Sequence, residues 1–354
     1  MERTHGGDWA AYQREYGTAP LDFSANVSPL GVPEGVRAAI AAAAGEADRY
    51  PDPACTALRE AIAAREGVAA GQVLCGNGAS DLIWRAVYAA KPRRALVTAP
   101  TFGEYEAALE AVGCEVVRCP LDETFRLRKN VLEQIDDNID VIILCQPNNP
   151  SGVTIDPALL REVVKRCAAR SAASGRICRL LLDECFIDFL DAPEQYTAKG
   201  LLTAFPNLLL IKAFTKLYGI AGVRLGYALC ADAAFLGAMR RSGPSWAVSH
   251  LAQEAGLAAL RETGYVERVR RLVRTERPWL SDRLSSLGLC VVPGEANFLL
   301  FRCETPLDAA LRERGILIRR CGDFAGLDDT WYRVAVRTRA DNERLIAAIG
   351  EVLA

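Results

Sequence analysis

Apolar positions along the chain fall into two rhythms. Ala95–Pro100, Val141–Gln146, Leu180–Asp183, Leu208–Ala213 and Leu225–Cys230 are nearly continuous apolar runs of strand length, the pattern of strands covered on both faces. Between them, Ala79–Ala90, Glu104–Val112 and Pro157–Ala169 carry helical patterns. Strands alternating with helices predict an α/β fold with a mostly parallel sheet covered by helices. From about residue 240 the rhythm changes. A long charged helix is predicted over Gly264–Leu287, strands over Asn297–Arg302 and Tyr332–Val336, and a closing helix over Asp341–Leu353. The expected organisation is a large α/β domain, residues 30–240, and a smaller α+β domain built from residues 1–29 and 241–354. No internal repeat is visible, and the one compositional bias is the alanine-rich helix near Ala38–Ala44.

Composition narrows the function classes. The 354 residues exceed what one compact core usually holds, which agrees with two lobes. Hydrophobic residues make up 51% and charged residues 24%, with a net charge of −2, so charge gives no reason to expect nucleic-acid or anionic-membrane binding. No apolar run reaches the roughly 18 to 20 residues of a spanning helix, and Met1-Glu2-Arg3-Thr4-His5 has no apolar signal core. A cytoplasmic protein is the expectation. The twelve cysteines contain no Cys-x-x-Cys pair and sit mostly in apolar stretches, so they read as small core residues. With His5 and His250 as the two histidines, a His-rich metal site is excluded and a Ser-His-Asp triad is disfavoured.

Four segments carry chemistry. Phe214-Thr215-Lys216 follows an apolar strand and precedes Gly222-Val223-Arg224-Leu225-Gly226. A lysine at a strand's carboxyl end lies where open α/β sheets hold ligands, and its neutral amine can condense with an aldehyde. Thr215 and Arg224 offer a hydroxyl and a guanidinium to a phosphate. Asp183 ends the apolar run Leu181-Leu182, 33 residues before Lys216. A carboxylate there can keep a pyridine nitrogen protonated, so that the ring accepts electrons from a bond breaking at Cα. Gln146-Pro147-Asn148-Asn149-Pro150-Ser151-Gly152 follows another strand, and the Asn149 amide can donate to a phenolic oxygen. Cys75-Gly76-Asn77-Gly78-Ala79-Ser80 opens a helix, where free N–H groups bind phosphate. Each segment also has a plain structural reading: a surface lysine, a strand meeting solvent, a turn, and a glycine-containing helix start.

Taken together, in this order and at these intervals, the four segments resemble fold-type I pyridoxal-phosphate (PLP) enzymes, specifically the histidinol-phosphate aminotransferase group, over nearly the whole chain. The resemblance implies pyridoxal 5′-phosphate as cofactor. It implies Lys216 as the Schiff-base lysine and proton carrier at Cα, Asp183 as the partner of the pyridine nitrogen and Asn149 as that of the phenolic oxygen. Gly78, Ala79, Ser80, Thr215 and Arg224 would form the phosphate cup, and Phe102 would stack on the ring. Tyr50 would reach the cofactor phosphate of a neighbouring subunit, which implies a homodimer with shared active sites. Arg333 would bind the substrate carboxylate. One departure is Asp183-Glu184-Cys185-Phe186, where the family usually has a tyrosine in place of Phe186.

Further segments resemble the threonine-phosphate decarboxylases of cobalamin biosynthesis. They are His5-Gly6-Gly7, Leu21-Asp22-Phe23-Ser24-Ala25-Asn26-Val27-Ser28-Pro29, Ile316-Leu317-Ile318-Arg319 and Trp331-Tyr332-Arg333. In that group residues matching His5, Gly6, Asn26, Asn149, Arg319 and Arg333 contact the phosphorylated amino acid, with the N-terminal segment covering it. The implied reaction is PLP-dependent decarboxylation of L-threonine O-3-phosphate to (R)-1-amino-2-propanol O-2-phosphate. The alternative is transamination of histidinol phosphate or a related amino acid. The residues alone leave both open, because the same side chains serve either outcome according to how the substrate is turned. His5 also reads as a residue of a loose terminus, Asn26 as a turn residue, and Arg319 as a solvated strand end.

Overall fold

The continuous apolar runs become the middle of a seven-stranded sheet in the structure, a computed structural model that describes residues 6–354. After a short leading strand β1 (Leu21–Asp22), the chain lays down β2 (Val73–Gly76), β3 (Arg94–Ala99), β4 (Glu115–Pro120), β5 (Val141–Cys145), β6 (Arg179–Asp183), β7 (Leu208–Ala213) and β8 (Gly226–Cys230). These seven pair in the order β2-β8-β7-β6-β5-β3-β4. Strands β3 to β7 run parallel, whereas β8 runs antiparallel to both of its neighbours, β7 and β2. Six strands therefore share one direction, and the amino end of β8 opens on the same edge as their carboxyl ends. Gly76, Cys145, Asp183, Ala213 and Gly226 all end up on that edge, where open α/β sheets hold their ligands.

The helices run close to their sequence patterns: Gly78–Ala90, Glu104–Ala111, Pro157–Ser174, Thr263–Ser286 and Arg339–Leu353. All twelve cysteines are free and all but Cys290 are buried. Among the described residues, no helix is long and apolar enough to cross a membrane.

The second lobe carries β9 (Cys290–Val291), β10 (Phe298–Arg302), β11 (Ile316–Leu317), β12 (Arg319–Arg320) and β13 (Trp331–Ala335). Four of them form an antiparallel sheet in the order β12-β13-β10-β9. Strand β11 instead pairs in parallel with β1. The Phe23 amide then donates to Leu317 O (2.8 Å), and the Ala335 amide donates to Phe23 O (2.8 Å). The leading segment is thus stitched into this lobe on both sides, with Phe23 in its core.

The apolar cores divide elsewhere than at residue 240. Helix His250–Arg261 places Ala252, Ala255 and Ala259 in the larger core, as do Tyr265, Val266, Val269 and Val273 of the following helix. Leu280 and Leu284 of that same helix belong to the smaller core. At 24 residues it is about 36 Å long, enough to reach from one core to the other. Pro278 lies between its two halves.

Candidate active site

Where β2 ends, Gly78 adopts φ +81° and opens the helix Gly78–Ala90. A Cβ on Gly78 would fall 2.5 Å from Arg224 Nη2. A Cβ on Gly226 would fall 2.8 Å from the Ala79 amide nitrogen. Both glycines are therefore required by close approach, because helix start, guanidinium and strand β8 meet with no room for a side chain. Asn77 precedes the helix without capping it through its side chain, so the first-turn amides remain oriented toward a ligand. Arg224 sits at φ 60° and is braced by Nη1 donating to Ala221 O (3.2 Å). Helix-start amides beside a guanidinium form a cradle suited to a phosphate dianion. Thr215 is buried just before Lys216.

Ser80, Phe102, Asn149, Lys216, Arg224, Arg319 and Arg333 line one cavity of about 610 Å³, with Gly6, Gly7 and Asn26. Lys216 is the third residue of the short helix Phe214–Leu217, and its carbonyl accepts from the Ser28 amide (2.8 Å). Burial lowers its amine pKa, and the like charges of Arg333 and Arg224 add to the effect. More of the amine is therefore in its neutral, nucleophilic form.

Asp183 lies beneath, buried at the end of β6. Its Oδ2 accepts from the Tyr105 hydroxyl (2.7 Å) and its Oδ1 from the Cys185 amide (2.9 Å). Burial, and then the Asp183 charge, raise the Tyr105 phenol well above its ordinary pKa, so it stays a donor. Tyr105 also packs edge-on against Phe102, with ring centroids 5.6 Å apart. Sequence reasoning missed Tyr105. It occupies an apolar position of an ordinary amphipathic helix, and its hydroxyl was the sole signal. The loop after β5 is clamped to the loop after β3: Thr101 Oγ1 donates to Asn148 Oδ1 (3.0 Å), and Asn148 Nδ2 donates to Pro100 O (3.1 Å). That clamp fixes Phe102 and Asn149 relative to each other.

The opposite wall comes from the small lobe. Arg319 and Arg333 are direct partners across the antiparallel pair β12–β13, so their side chains leave the same face. Both are buried. Arg333 Nη1 donates to Asn149 Oδ1 and Nη2 to Ser24 O (2.9 Å). The Asn26 amide, with its oxygen toward the guanidinium, accepts from Arg333 Nε (3.2 Å) and Nη1 (3.3 Å). Because Arg333 claims Asn149 Oδ1, the Asn149 Nδ2 is left as that amide's donor. Burial pulls Arg333 down to about 10, which still leaves it cationic at neutral pH. Arg319 Nη2 reaches both oxygens of Asp323 (2.8 and 2.7 Å), a partner the sequence did not suggest.

The N-terminal strap closes the remaining side. The Gly7 amide donates to Ser24 Oγ (2.7 Å), and Ser24 is itself held by Asp22 Oδ1 through its amide (2.7 Å) and hydroxyl (2.6 Å). A Cβ on Gly6 would sit 2.1 Å from Ser24 O, so no other residue fits there without a shift. His5 lies outside the described residues. Phe186 forms part of the wall, with its ring centroid 5.8 Å from Lys216 Nζ. Tyr50 is the one named residue far from this arrangement. It is 83% exposed and packs against the exposed Trp246, with centroids 4.8 Å apart.

Comparisons with known proteins bear on this geometry. The family model for aminotransferase class I and II matches residues 18–349. The threonine-phosphate decarboxylase of Salmonella typhimurium is 38% identical, over 99% of this chain and 96% of its own. The histidinol-phosphate aminotransferase of Symbiobacterium thermophilum is 35% identical, over 96% of this chain and 93% of its own. Among solved structures, a histidinol-phosphate aminotransferase from Sinorhizobium meliloti in complex with pyridoxal-5′-phosphate superposes with a TM-score of 0.87. It covers 99% of this chain and 95% of that one at 24% identity, which establishes a shared fold.

Proposed function

The chain belongs to the aminotransferase class I and II family, and from that premise we propose that it is a decarboxylase of a phosphorylated amino acid, L-threonine O-3-phosphate. It is a pyridoxal 5′-phosphate-dependent enzyme. The observation that carries the substrate class is the pairing of Arg319 with Arg333 across β12–β13, on a wall of the Lys216 cavity. Two like charges opposite each other on one face of a sheet are destabilising unless anions answer them. Asp323 answers one now; a substrate with both a carboxylate and a phosphate can answer both. The 38% identity to a threonine-phosphate decarboxylase supports the same substrate.

When bound, the cofactor supplies the electron sink for the bond broken at the substrate's Cα. The cradle of Gly78, Ala79, Ser80, Thr215 and Arg224 would hold its phosphate, and Asp183 would keep a proton on its pyridine nitrogen. Asn149 Nδ2 would donate to its phenolic oxygen, and Phe186, lacking a hydroxyl, would add no hydrogen bond to it. Arg333 grips the carboxylate and Arg319 the phosphate, while the Gly6–Gly7 strap excludes water. Decarboxylation breaks the Cα–carboxylate bond, releases CO2 and requires one proton returned to Cα, which Lys216 delivers. No electrons are gained or lost overall. Tyr50 completes the cup of a second subunit, so the working unit is a homodimer.

The discriminating experiment uses carboxyl-labelled threonine phosphate. Labelled CO2 is expected over many turnovers without any 2-oxo acid. One half-reaction without CO2, resumed only when 2-oxoglutarate is added, overturns the proposal in favour of transamination. The 35% identity to a histidinol-phosphate aminotransferase is what keeps that second reading in view.

Tyr105 tests the electronic side of the site. Its hydroxyl donates to Asp183 Oδ2 (2.7 Å) and so fixes where that carboxylate points. In Tyr105→Phe, kcat is expected to fall on the order of 10-fold with KM little changed, and the pH dependence of the bound cofactor's visible band should shift. Wild-type kcat together with a wild-type spectral titration would leave Tyr105 a packing residue.

A further inference from the structure

The two arginines that face each other across β12–β13 are held differently. Arg333 is braced by neutral acceptors: Asn149 Oδ1, Ser24 O (2.9 Å) and the Asn26 amide oxygen (3.2 and 3.3 Å). Arg319 is held by a carboxylate, its Nη2 donating to both oxygens of Asp323 at 2.8 and 2.7 Å. Asp323 lies in the turn after β12, four residues beyond Arg319, and both side chains line the Lys216 cavity. Two other carboxylates on those walls are engaged elsewhere. Asp22 Oδ1 accepts from the Ser24 amide (2.7 Å) and hydroxyl (2.6 Å), and Glu104 Oε2 accepts from Trp84 Nε1 (3.1 Å).

Arg319 has supports besides Asp323. Its Nη1 donates to Arg320 O, and its Cζ lies 5.2 Å from the centroid of the Phe324 ring. The guanidinium therefore keeps its place when the carboxylate leaves it. The Arg319 side chain is 9% exposed and that of Asp323 is 22% exposed, so the carboxylate is the partner with room to turn away. A carboxylate tethered beside a cation acts at a high effective concentration. A phosphate that comes to Arg319 must compete with it, because both anions seek the same charge-assisted N–H donors.

We propose that Asp323 is a built-in competitor at the phosphate subsite: it occupies Arg319 between turnovers, gives way to the substrate's phosphate, and returns as the product leaves. The inference rests on the reading of Arg319 as the phosphate residue and Arg333 as the carboxylate residue. Its logic follows the reaction. Decarboxylation removes the carboxylate, so the Arg333 anchor is lost with the CO2 and needs no competitor. The phosphate survives into the product, and the arginine that holds it is the one with a carboxylate beside it. A product bound through one contested contact leaves more readily than a substrate bound through two.

Two probes, 3-phosphoglycerate and glycerol 3-phosphate, are titrated calorimetrically into the cofactor-loaded full chain. Both carry a phosphate and the first also a carboxylate, so they mimic substrate and product in turn. Neither has an amine to react with the cofactor, so binding is read without turnover, and loading fills the phosphate cradle. Asp323→Asn keeps an acceptor for Arg319 Nη2 but removes the competing charge. It is expected to tighten both probes about 10-fold, whereas Arg319→Ala should weaken both at least about 10-fold. In thermal unfolding, a fixed concentration of 3-phosphoglycerate should raise the transition of Asp323→Asn more than that of wild type, since tighter binding stabilises the folded state further. Weaker binding in Asp323→Asn would make Asp323 a positioning residue, and unchanged binding a structural one; either result overturns the proposal. Binding indifferent to Arg319→Ala would instead overturn the reading of Arg319 on which the proposal rests.

Discussion

Replacing Lys216 with alanine is expected to cut turnover by at least about 10³-fold, because one side chain supplies both the covalent anchor and the proton carrier. The environment is arranged for that double task. Burial lowers the amine's pKa, and the amine faces Phe186 rather than solvent. Lys216→Arg should not rescue, since a guanidinium stays charged and cannot condense with an aldehyde. The phosphate cradle contains no part of the Lys216 side chain, so Lys216→Ala should still take up cofactor noncovalently. It should then lose the borohydride-fixable yellow band. The same variant probes the assembly. If Tyr50 serves the neighbouring site, subunits carrying Lys216→Ala and subunits carrying Tyr50→Ala complement each other. Random exchange makes half the dimers hybrid with one intact site each, so activity should recover to about one quarter of wild type. No recovery after verified exchange would assign Tyr50 to its own subunit or to the surface. A colourless wild-type protein that takes up no added PLP would end the cofactor reading itself.

Much of this was legible in the chain because the chemistry sits at the ends of strands that are buried on both faces. Strands β5, β6 and β7 are buried along nearly their whole length, so their apolar runs are unbroken and the residues that follow, Asn149, Asp183 and Lys216, announce the ligand edge. Strand β4 was not read, since it lies at the sheet edge with most of its residues partly or fully exposed. Strands of two residues such as β1, β11 and β12 exist only through their partners, and no local pattern encodes them. The apolar cores also divide at a place that the change of rhythm does not mark. The change of rhythm near residue 240 is a change of element length, and helix His250–Arg261 still packs into the larger core. The site residues that sequence missed, Tyr105 and Asp323, act by pairing with another side chain rather than by ending a strand.

Lys212→Met is expected to destabilise the protein at pH 7.5 by about 3 to 5 kcal/mol, the usual cost of removing one partner from a buried ion pair. Lys212 lies on β7, four residues before Lys216, and is buried. Its Nζ contacts Glu66 Oε1 (3.2 Å) and Asp188 Oδ2 (3.5 Å). Glu66 also receives the Tyr227 hydroxyl (2.5 Å) and the Lys199 ammonium (3.2 Å). Burial alone would raise the Glu66 carboxyl; Lys212 and the Tyr227 bond override it and hold it at about 2. A carboxyl depressed in the folded state stabilises above its ordinary pKa, and that contribution is lost as pH falls toward the folded value. Glu184 behaves oppositely. Burial raises it to about 7 despite Lys212, so its contribution is present below its ordinary pKa and is lost as pH rises through 7. Without Lys212 the Glu66 carboxyl loses the largest influence that holds it low, while burial still acts to raise it. The variant should therefore recover relative to wild type as pH is lowered, since protonation removes the uncompensated charge. Urea unfolding of the holoenzyme at pH 7.5 and pH 5.5 measures this directly: the gap between variant and wild type should narrow at the lower pH. Adding Glu66→Gln to Lys212→Met should restore part of the loss, a coupling expected of residues in contact. Because the cluster fixes β7 against the end of β6, where Glu184 follows Asp183, local loosening should also weaken cofactor retention. A variant as stable as wild type at pH 7.5, or a gap that widens on acidification, would mean that the charge network does not hold these two strands together.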